Sequence, residues 1–516
     1  MMPKLDATFS TKDFSIAKAL AHFAIEISEI AHSQYLINDS RFVTENDIFA
    51  AVIGTHQDGS AYIHNAVAQG ACLVIAQCAT KAEHGSAYTV SQLGNEVLVI
   101  NFYQLDKHLV NVSAYYYNNP HEAVELIGVT GTNGKTSCCQ LIAQLLTANN
   151  TKTAIIGTLG AGTLDNLENI NNTTPGPTKL LQLLAQFKHQ HVRQVAMEVS
   201  SHALSQNRLD VNMIDIAVFT NLSRDHLDYH GDMSSYANAK KQLFLGKPEQ
   251  TWVLNADDQI CQSWLQQLPA SNERVLYSVD SNNAELLKNQ QYLLAENIVC
   301  HNRGVKFELR SSWGHCQIQS SLLGEFNVAN LLAAMAVLLI QGVPLENIAR
   351  VTQQLLPVTG RMETFTASDK PTAVVDYAHT PDGLEQALLS ARAHCPGELW
   401  VVFGCGGDRD KGKRAIMGSI AQRYADHIVL TNDNPRSEEA EHITSDIQQG
   451  ISVTEKVEVI IDREQAVISA LSRAKANDMV LCAGKGHEDY LIIGEQTIAY
   501  HEREVVRQFY QGGTKQ

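Results

Sequence analysis

Runs of apolar residues along this chain change character in a way that divides it into three. Up to about Tyr117, short runs at 49–53, 72–75 and 96–100 predict strands, while apolar residues at helical spacing predict helices over 17–30 and 63–67. The polar link Asn118-Asn119-Pro120 closes this segment. Compact apolar runs then recur at 124–129, 153–156, 194–199, 214–220 and 251–255, separated by stretches of helical period that include 138–146. Such alternation predicts a parallel sheet covered by helices. A helical stretch at 330–339 and the turn Gly342-Val343-Pro344 end the second segment. From about Pro357 the alternation starts again, with strands expected at 372–376, 399–404, 427–431, 457–461 and 479–483. The expected domains are therefore 1–117, 118–357 and 358–516.

Composition narrows the setting. A chain of 516 residues with 44% hydrophobic and 18% charged positions has material for several cores, and no apolar run approaches the ~20 residues of a membrane span. The N-terminus lacks the apolar stretch of a signal peptide, so a cytoplasmic protein without a membrane partner is expected. Ten cysteines include no C-x-x-C pair, which leaves neither a disulfide framework nor a zinc site indicated. A net charge of −16 argues against nucleic acid, whose backbone demands concentrated Lys and Arg, but admits a small anionic substrate held by local basic residues. No residue signal speaks for self-association, and a monomer is expected.

The chemistry begins at Gly128-Val129-Thr130-Gly131-Thr132-Asn133-Gly134-Lys135-Thr136-Ser137, which follows a predicted strand and opens a predicted helix. Glycines allow successive N–H groups to face one anion, the helix terminus adds partial positive charge, and Lys135 adds a point charge between phosphates. Thr136 stands where a hydroxyl can hold magnesium. Only Thr132 and Asn133 separate Gly131 from Gly134-Lys135-Thr136, so the spacing departs from the common P-loop pattern. ATP is the implied ligand. The fold class expected is α/β: a central P-loop, parallel-sheet, ATPase-like domain between a smaller α/β N-terminal domain and a Rossmann-like C-terminal domain.

Two later strands end in polar clusters. Met197-Glu198-Val199-Ser200-Ser201-His202 places a carboxylate beside hydroxyls and an imidazole, and Thr220-Asn221-Leu222-Ser223-Arg224-Asp225-His226 follows the next strand. Either alone reads as a solvated loop; on consecutive strands after a phosphate loop, Glu198 and His226 become candidates to meet magnesium ions. In the third segment, Gly404-Cys405-Gly406-Gly407-Asp408-Arg409 lacks the small residue a dinucleotide fingerprint needs where Arg409 stands, and residues 410–414 read as too polar to start a packed helix.

Together these motifs, with Asp433-Asn434-Pro435-Arg436 and Gly484-Lys485-Gly486-His487-Glu488-Asp489-Tyr490, resemble the Mur ligase family of peptidoglycan synthesis over nearly the whole chain. The resemblance implies that ATP phosphorylates the D-glutamate carboxylate of UDP-N-acetylmuramoyl-L-alanyl-D-glutamate, and that the amine of meso-diaminopimelate then attacks the acyl phosphate, with magnesium as cofactor. It implies catalytic roles for Lys135, Glu198, His226 and Lys240, the last as an N6-carboxylysine that holds magnesium together with Thr136, Glu198 and His226. From residues alone, Tyr236-Ala237-Asn238-Ala239-Lys240-Lys241 reads instead as an exposed helix face.

By the same resemblance ATP is contacted by Gly131, Thr132, Asn133, Gly134, Lys135, Thr136 and Ser137, and by Asn327, Asn330, Arg361 and Asp376. The nucleotide-sugar dipeptide is met by Asn172, Thr173, Thr174, Ser200, Gln206 and Arg208, and at its uridine end by Asn38, Ser40, Thr55, His56 and Gln57. Asn38 and the run 55–57 depart from the family's pattern there. Diaminopimelate is met by Arg409, Asp433, Asn434, Pro435, Arg436, Gly484 and Glu488. Its second carboxylate suits a planar guanidinium such as that of Arg436, a need a lysine substrate would lack. Two other readings share part of this inventory. A nucleotide-sensing P-loop regulator has no use for 433–436, and a folylpolyglutamate synthase has none for the first segment.

Overall fold

The computed structural model describes residues 11–30, 33–54, 57–288, 290–301 and 304–511. Within them lie three main sheets and one two-stranded ribbon. The first sheet runs in the order Leu36–Ile37, Ile48–Ala51, Leu73–Cys78, Asn95–Tyr103, Ala87–Gln92, parallel except for its last strand. One face packs on the helix Ile63–Ala68. The other packs on Leu105–Tyr116, whose apolar side continues into the core of the second domain.

The expected helix over 17–30 is shorter, spanning Ile16–Ala21. The chain leaves it through Ala24 at φ 58°, with the Ile25 N–H donating to the Leu20 carbonyl, and the apolar residues beyond pack outside the helix. A second correction concerns residues 410–414, which do open a helix, Lys413–Tyr424. Arg414 in its first turn is only 1% exposed because Glu438 takes both of its terminal nitrogens and Asp446 takes one. A polar start is compatible with packing once the charge is paired.

The central sheet has eleven strands among the described residues. Parallel strands occupy its middle, with Ile216–Phe219, Glu125–Thr130, Gln194–Glu198 and Thr153–Gly157 adjacent in that order. Antiparallel strands finish both edges. The helices Lys135–Ala148 and Glu325–Ile340 pack against one face, the latter almost wholly apolar and buried. Position, more than composition, matters here. The phosphate-loop strand sits between the strands that carry Glu198 and Thr220, so three strand ends converge on one spot, as ligand sites of open α/β sheets require.

The third sheet runs Glu363–Phe365, Thr372–Asp376, Met479–Ala483, Leu399–Phe403, His427–Leu430, Val457–Val459, parallel after its first strand. Helices cover both faces. Arg463 and Glu502 form an ion pair with no exposure to solvent. The same guanidinium donates to the carbonyls of Asn432 and Ala483, which ties two strand ends together just before the 433–436 and 484–488 loops. No helix among the described residues is long and apolar enough to cross a membrane.

Candidate active site

The phosphate loop is shaped by what its glycines exclude. Gly131 and Gly134 sit at φ 153° and 86°; a Cβ would lie 1.9 Å from Thr220 Oγ1 at the first and 2.5 Å from Asn330 Oδ1 at the second. The loop is pinned by Thr132 N donating to the Asn221 carbonyl (2.8 Å), Asn133 N to Asn221 Oδ1 (2.9 Å) and Thr220 Oγ1 to the Asn133 carbonyl (2.6 Å). Gly134 then caps the helix Lys135–Ala148 without a side chain, so the first-turn N–H groups of that helix stay open. Lys135 Nζ donates to the carbonyls of Gly131 (2.8 Å) and Thr132 (2.7 Å), and burial lowers its pKa. From the third domain, Arg361 Nη2 reaches the Thr136 hydroxyl at 3.3 Å.

A cavity of about 390 Å³ spreads from this loop. Thr132, Asn133, Gly134, Lys135, Thr136 and Ser137 line it, together with Asn172, Thr173, Thr174, Glu198, Ser200, Arg208, His226, Lys240 and Arg361. Glu198 is buried and held by Thr158, whose N–H donates to Oε1 (2.8 Å) and whose hydroxyl donates to Oε2 (3.2 Å). His226 lies at φ 53° at the start of the turn Leu227–His230; burial lowers its pKa, opposed by Asp225 at 3.4 Å.

Lys240 corrects the exposed-face reading of its helix. It is 1% exposed, lies 4.4 Å from the Tyr236 ring centre and donates to the Gly131 carbonyl at 2.7 Å. Burial, and next the neighbouring Lys135, pull its pKa well below that of an ordinary lysine. Among the described residues no three His, Cys, Asp or Glu side chains gather closely enough to hold a metal by themselves. The donors expected to hold magnesium, Thr136 Oγ1, the Glu198 carboxylate and the His226 imidazole, line one cavity beside the phosphate loop. That sparse set fits magnesium, which keeps several waters and phosphate oxygens as ligands.

Arg208 joins this cavity to a second one of about 620 Å³. Its guanidinium donates to the Thr174 carbonyl (3.0 Å) and twice to Gln206 Oε1 (2.9 and 2.7 Å), so Gln206 acts on Arg208 rather than lining either space. The second cavity lies between the first and central domains and is bordered by Asn38, Ser40, Gln57 and Asn172. Asn38 is polar because Oδ1 accepts the Thr178 hydroxyl at 2.8 Å, a bond between the two domains. Thr55 and His56 lie outside the described residues.

A third cavity of about 670 Å³ separates the central and last domains and is lined by Asn330, Arg361 and Asp376 among others. Asn327 stands behind it, donating to the Leu323 carbonyl (2.9 Å) and accepting from Asn330 (3.1 Å). Asp376 accepts from the N–H groups of Met362 and Ala378 (both 2.8 Å), which fixes the turns on either side of Arg361 and Tyr377; burial raises its pKa. Asn133 and Asp382 close the gap from opposite sides at 3.0 Å.

In the last domain Asp433, Asn434 and Pro435 are buried, and Arg436 sits at φ 53°, bridged to the ribbon strand through its N–H to Ile492 O (3.1 Å) and its carbonyl from Gly494 N (2.7 Å). A side-chain-bearing residue held there against its preference indicates a geometry imposed by the surroundings. Its Nη1 donates to the carbonyls of Gly407 and Asn434, and a Cβ built on Gly406 would touch both Arg436 and Arg409, so the two arginines flank one glycine. Arg409 is exposed. Gly484 at φ 115° leaves room for Asp433, 2.7 Å from where a Cβ would be.

Glu488 already has partners: Lys485 Nζ (2.6 Å) and Asn434 Nδ2 (3.2 Å) on one oxygen, and the Tyr377 hydroxyl (3.1 Å) on the other. The fully buried Lys485, together with Thr158 and Tyr377, was not anticipated from sequence. Lys485 lies inside the motif 484–490, and its position between two glycines was the available signal.

Three family profiles match this chain in order: "Mur ligase family, catalytic domain" over 34–111, "Mur ligase middle domain" over 129–338 and "Mur ligase, glutamate ligase domain" over 360–486. The chain belongs to the Mur ligase family. It is 43% identical over 474 residues to the UDP-N-acetylmuramoyl-L-alanyl-D-glutamate–2,6-diaminopimelate ligase of Haemophilus influenzae strain Rd, covering 92% of this chain and 95% of that one. Among solved structures, a UDP-N-acetylmuramoyl-L-alanyl-D-glutamate–2,6-diaminopimelate ligase at 33% identity aligns over 96% of this Mur ligase and 99% of its own chain, with a TM-score of 0.64. MurF from Acinetobacter baumannii, at 17% identity and a TM-score of 0.64 over 96% and 98% of the two chains, shares the fold. So does the folylpolyglutamate synthase of Mycobacterium tuberculosis, at 17% identity and a TM-score of 0.58 over 79% and 95%.

Proposed function

We propose that this Mur ligase joins meso-2,6-diaminopimelate to the D-glutamyl carboxylate of UDP-N-acetylmuramoyl-L-alanyl-D-glutamate, using ATP, and does so as a cytoplasmic monomer with domains bounded near residues 117 and 357. The observation that carries the reading is the position of Arg208, which borders both the phosphate-loop cavity and the cavity of the first domain. A nucleotide sugar laid in the latter, with Asn38, Ser40 and Gln57 at its uridine end, directs its peptide past Arg208 toward Lys135. The 43% identical Haemophilus influenzae relative bears the corresponding name.

Phosphorylating a carboxylate brings two anions together, so the dominant task is to neutralise charge where it develops. Lys135 and the open helix terminus face the phosphates, and Arg361, already within reach of Thr136, adds a guanidinium as a second cationic side chain, from the closing domain. Magnesium, when bound, supplies further charge neutralisation between phosphate and carboxylate, and Thr136, Glu198, His226 and Lys240 as a carbamate would hold it. Lys240 is suited to that modification because its lowered pKa favours the free amine, whose lone pair attacks carbon dioxide and which then loses a proton to leave the carbamate. Thr174, Ser200 and Arg208 orient the glutamyl carboxylate; Asn172 and Thr173 line its approach.

Diaminopimelate rather than lysine is favoured by Arg436 and Arg409 beside Gly406, which together suit a carboxylate at the far end of the amino acid. The test is phosphate release with ATP, magnesium and the UDP-linked dipeptide, adding diaminopimelate, lysine or glutamate in turn. Release that requires diaminopimelate is expected; release indifferent to every amino acid would sink the reading.

A further inference from the structure

Four contacts run in series from the phosphate loop to the 433–436 loop. Arg361 Nη2 meets Thr136 Oγ1 at 3.3 Å, and its Cζ lies 4.4 Å from the centre of the Tyr377 ring. The Tyr377 hydroxyl donates to Glu488 at 3.1 Å, and the other Glu488 oxygen accepts from Lys485 and Asn434. Arg361 Nε is buried without a hydrogen-bond partner, and the tyrosine ring and the Thr136 hydroxyl hold this guanidinium near the buried Asp376 carboxylate, whose charged form it favours. The backbone on either side is fixed as well: Asp376, the residue before Tyr377, holds the Met362 and Ala378 N–H groups, and a Cβ on Gly360 would strike the backbone at Gly486 and His487.

We propose that Tyr377 is a positioning residue that couples the amino-acid pocket to the phosphate-facing Arg361. The inference rests on the ligase reading above. An ammonium group entering beside Glu488 competes with Lys485 and Tyr377 for the same two oxygens. Whatever place the tyrosine hydroxyl then takes, its ring carries Arg361 with it, because a cation over an aromatic face follows that face. By linkage the effect is reciprocal: nucleotide that engages Arg361 favours the tyrosine position that suits the amino acid. Neither Tyr377 nor Lys485 needs to touch the reacting atoms.

The test uses calorimetric titration of the full chain with a magnesium-bound, non-hydrolysable ATP analogue in the presence of the UDP-linked dipeptide, with and without saturating diaminopimelate. In the unaltered enzyme the amino acid is expected to tighten the analogue by at least about five-fold. Tyr377→Phe, which keeps the ring and removes the hydroxyl, is expected to bring that factor below two. Glu488→Gln serves as the second variant and is expected to do the same, with no additional loss in the double variant. A merely structural tyrosine would change stability and leave the ratio alone. A factor below two in the unaltered enzyme, or an equal factor in Tyr377→Phe, overturns the coupling. Turnover with diaminopimelate, measured separately, keeps the two ideas apart: ligation with undiminished coupling in the variant removes only the relay, whereas no ligation with any amino acid removes both.

Discussion

Lys240 Nζ donates to the carbonyl of Gly131 at 2.7 Å, so a helix 109 residues further along the chain is fastened to the first turn of the phosphate loop. The same nitrogen is buried and close to Lys135, an arrangement that penalises the ammonium form and favours a reactive free amine. Lys240→Ala is expected to lower turnover by at least about a hundredfold, the range typical of removing a charge-stabilising group. Because the substitution leaves space beside Gly131, formate or acetate at high concentration is expected to restore part of the rate. Rates in Lys240→Ala that stay flat across a carboxylate titration count against the carbamate.

The arginine of the 433–436 loop offers a sharper test of specificity. Arg436→Ala removes a guanidinium suited to a carboxylate, a charge-assisted interaction of about 1.5–3 kcal/mol. The KM for diaminopimelate is expected to rise by about ten- to a hundredfold, with the KM for ATP changed less than about twofold. Arg436→Lys is not expected to recover the loss, because an ammonium lacks the bidentate fork. Equal increases in both KM values would speak against a role in amino-acid choice.

Apolar periodicity was enough to place most strands. Those at Thr251–Asn255, Thr372–Asp376 and Met479–Ala483 begin and end where the apolar runs do, because each lies in the interior of a sheet covered on both faces. Where the period fails, long-range partners are responsible. Residues 410–414 looked too charged for a packed helix until Glu438 and Asp446 arrived from elsewhere to take Arg414. Lys240 looked like surface because nothing local records that Gly131, 109 residues away, closes over it opposite the Tyr236 ring. The cluster around Glu488 was legible as a binding motif, yet its occupation by Lys485 and Tyr377 depends on two loops meeting, which no spacing rule expresses.

His487 provides a pH dependence with a definite sign. Its ring is half-buried beside Tyr377, Nδ1 is buried without a partner, and desolvation, reinforced by Arg361, lowers its pKa from 6.5 to about 4. In the unfolded chain the group takes a proton near pH 6.5, in the folded chain only near pH 4. The stability contributed by the neutral ring is therefore complete above pH 6.5 and is lost as pH falls through that window. The loss amounts to at most about 2 kcal/mol by pH 5. His487→Asn is expected to lower the melting temperature at pH 7 but to flatten its fall between pH 7 and pH 5. Parallel curves for the two proteins would show that His487 does not titrate in that window.

Gly157 tests whether the position of Glu198 matters separately from its presence. The glycine ends the strand Thr153–Gly157 next to the strand that carries Glu198, and a Cβ there would lie 2.3 Å from Glu198 Oε1 and 2.9 Å from its Cγ and Cδ. Its φ is not in the left-handed region, so alanine carries no backbone penalty and the conflict falls on the carboxylate. The carboxylate is also fixed by Thr158, one residue further on, and cannot retreat without giving up those two hydrogen bonds. Gly157→Ala is thus expected to swing Glu198 out of its place, lowering kcat by at least about tenfold, since a misplacement near 1 Å in a pre-organised site costs on that order or more. ATP analogue binding through the phosphate loop should change little, because Lys135 and the helix terminus are untouched. Thr158→Ala removes the hydroxyl bond to Oε2, keeps the backbone N–H bond to Oε1 and leaves the space at residue 157 unchanged, so combining it with Gly157→Ala should give less than the sum of the two losses. Full additivity would mean that the two residues act through different groups, and that Glu198 is not the one they share.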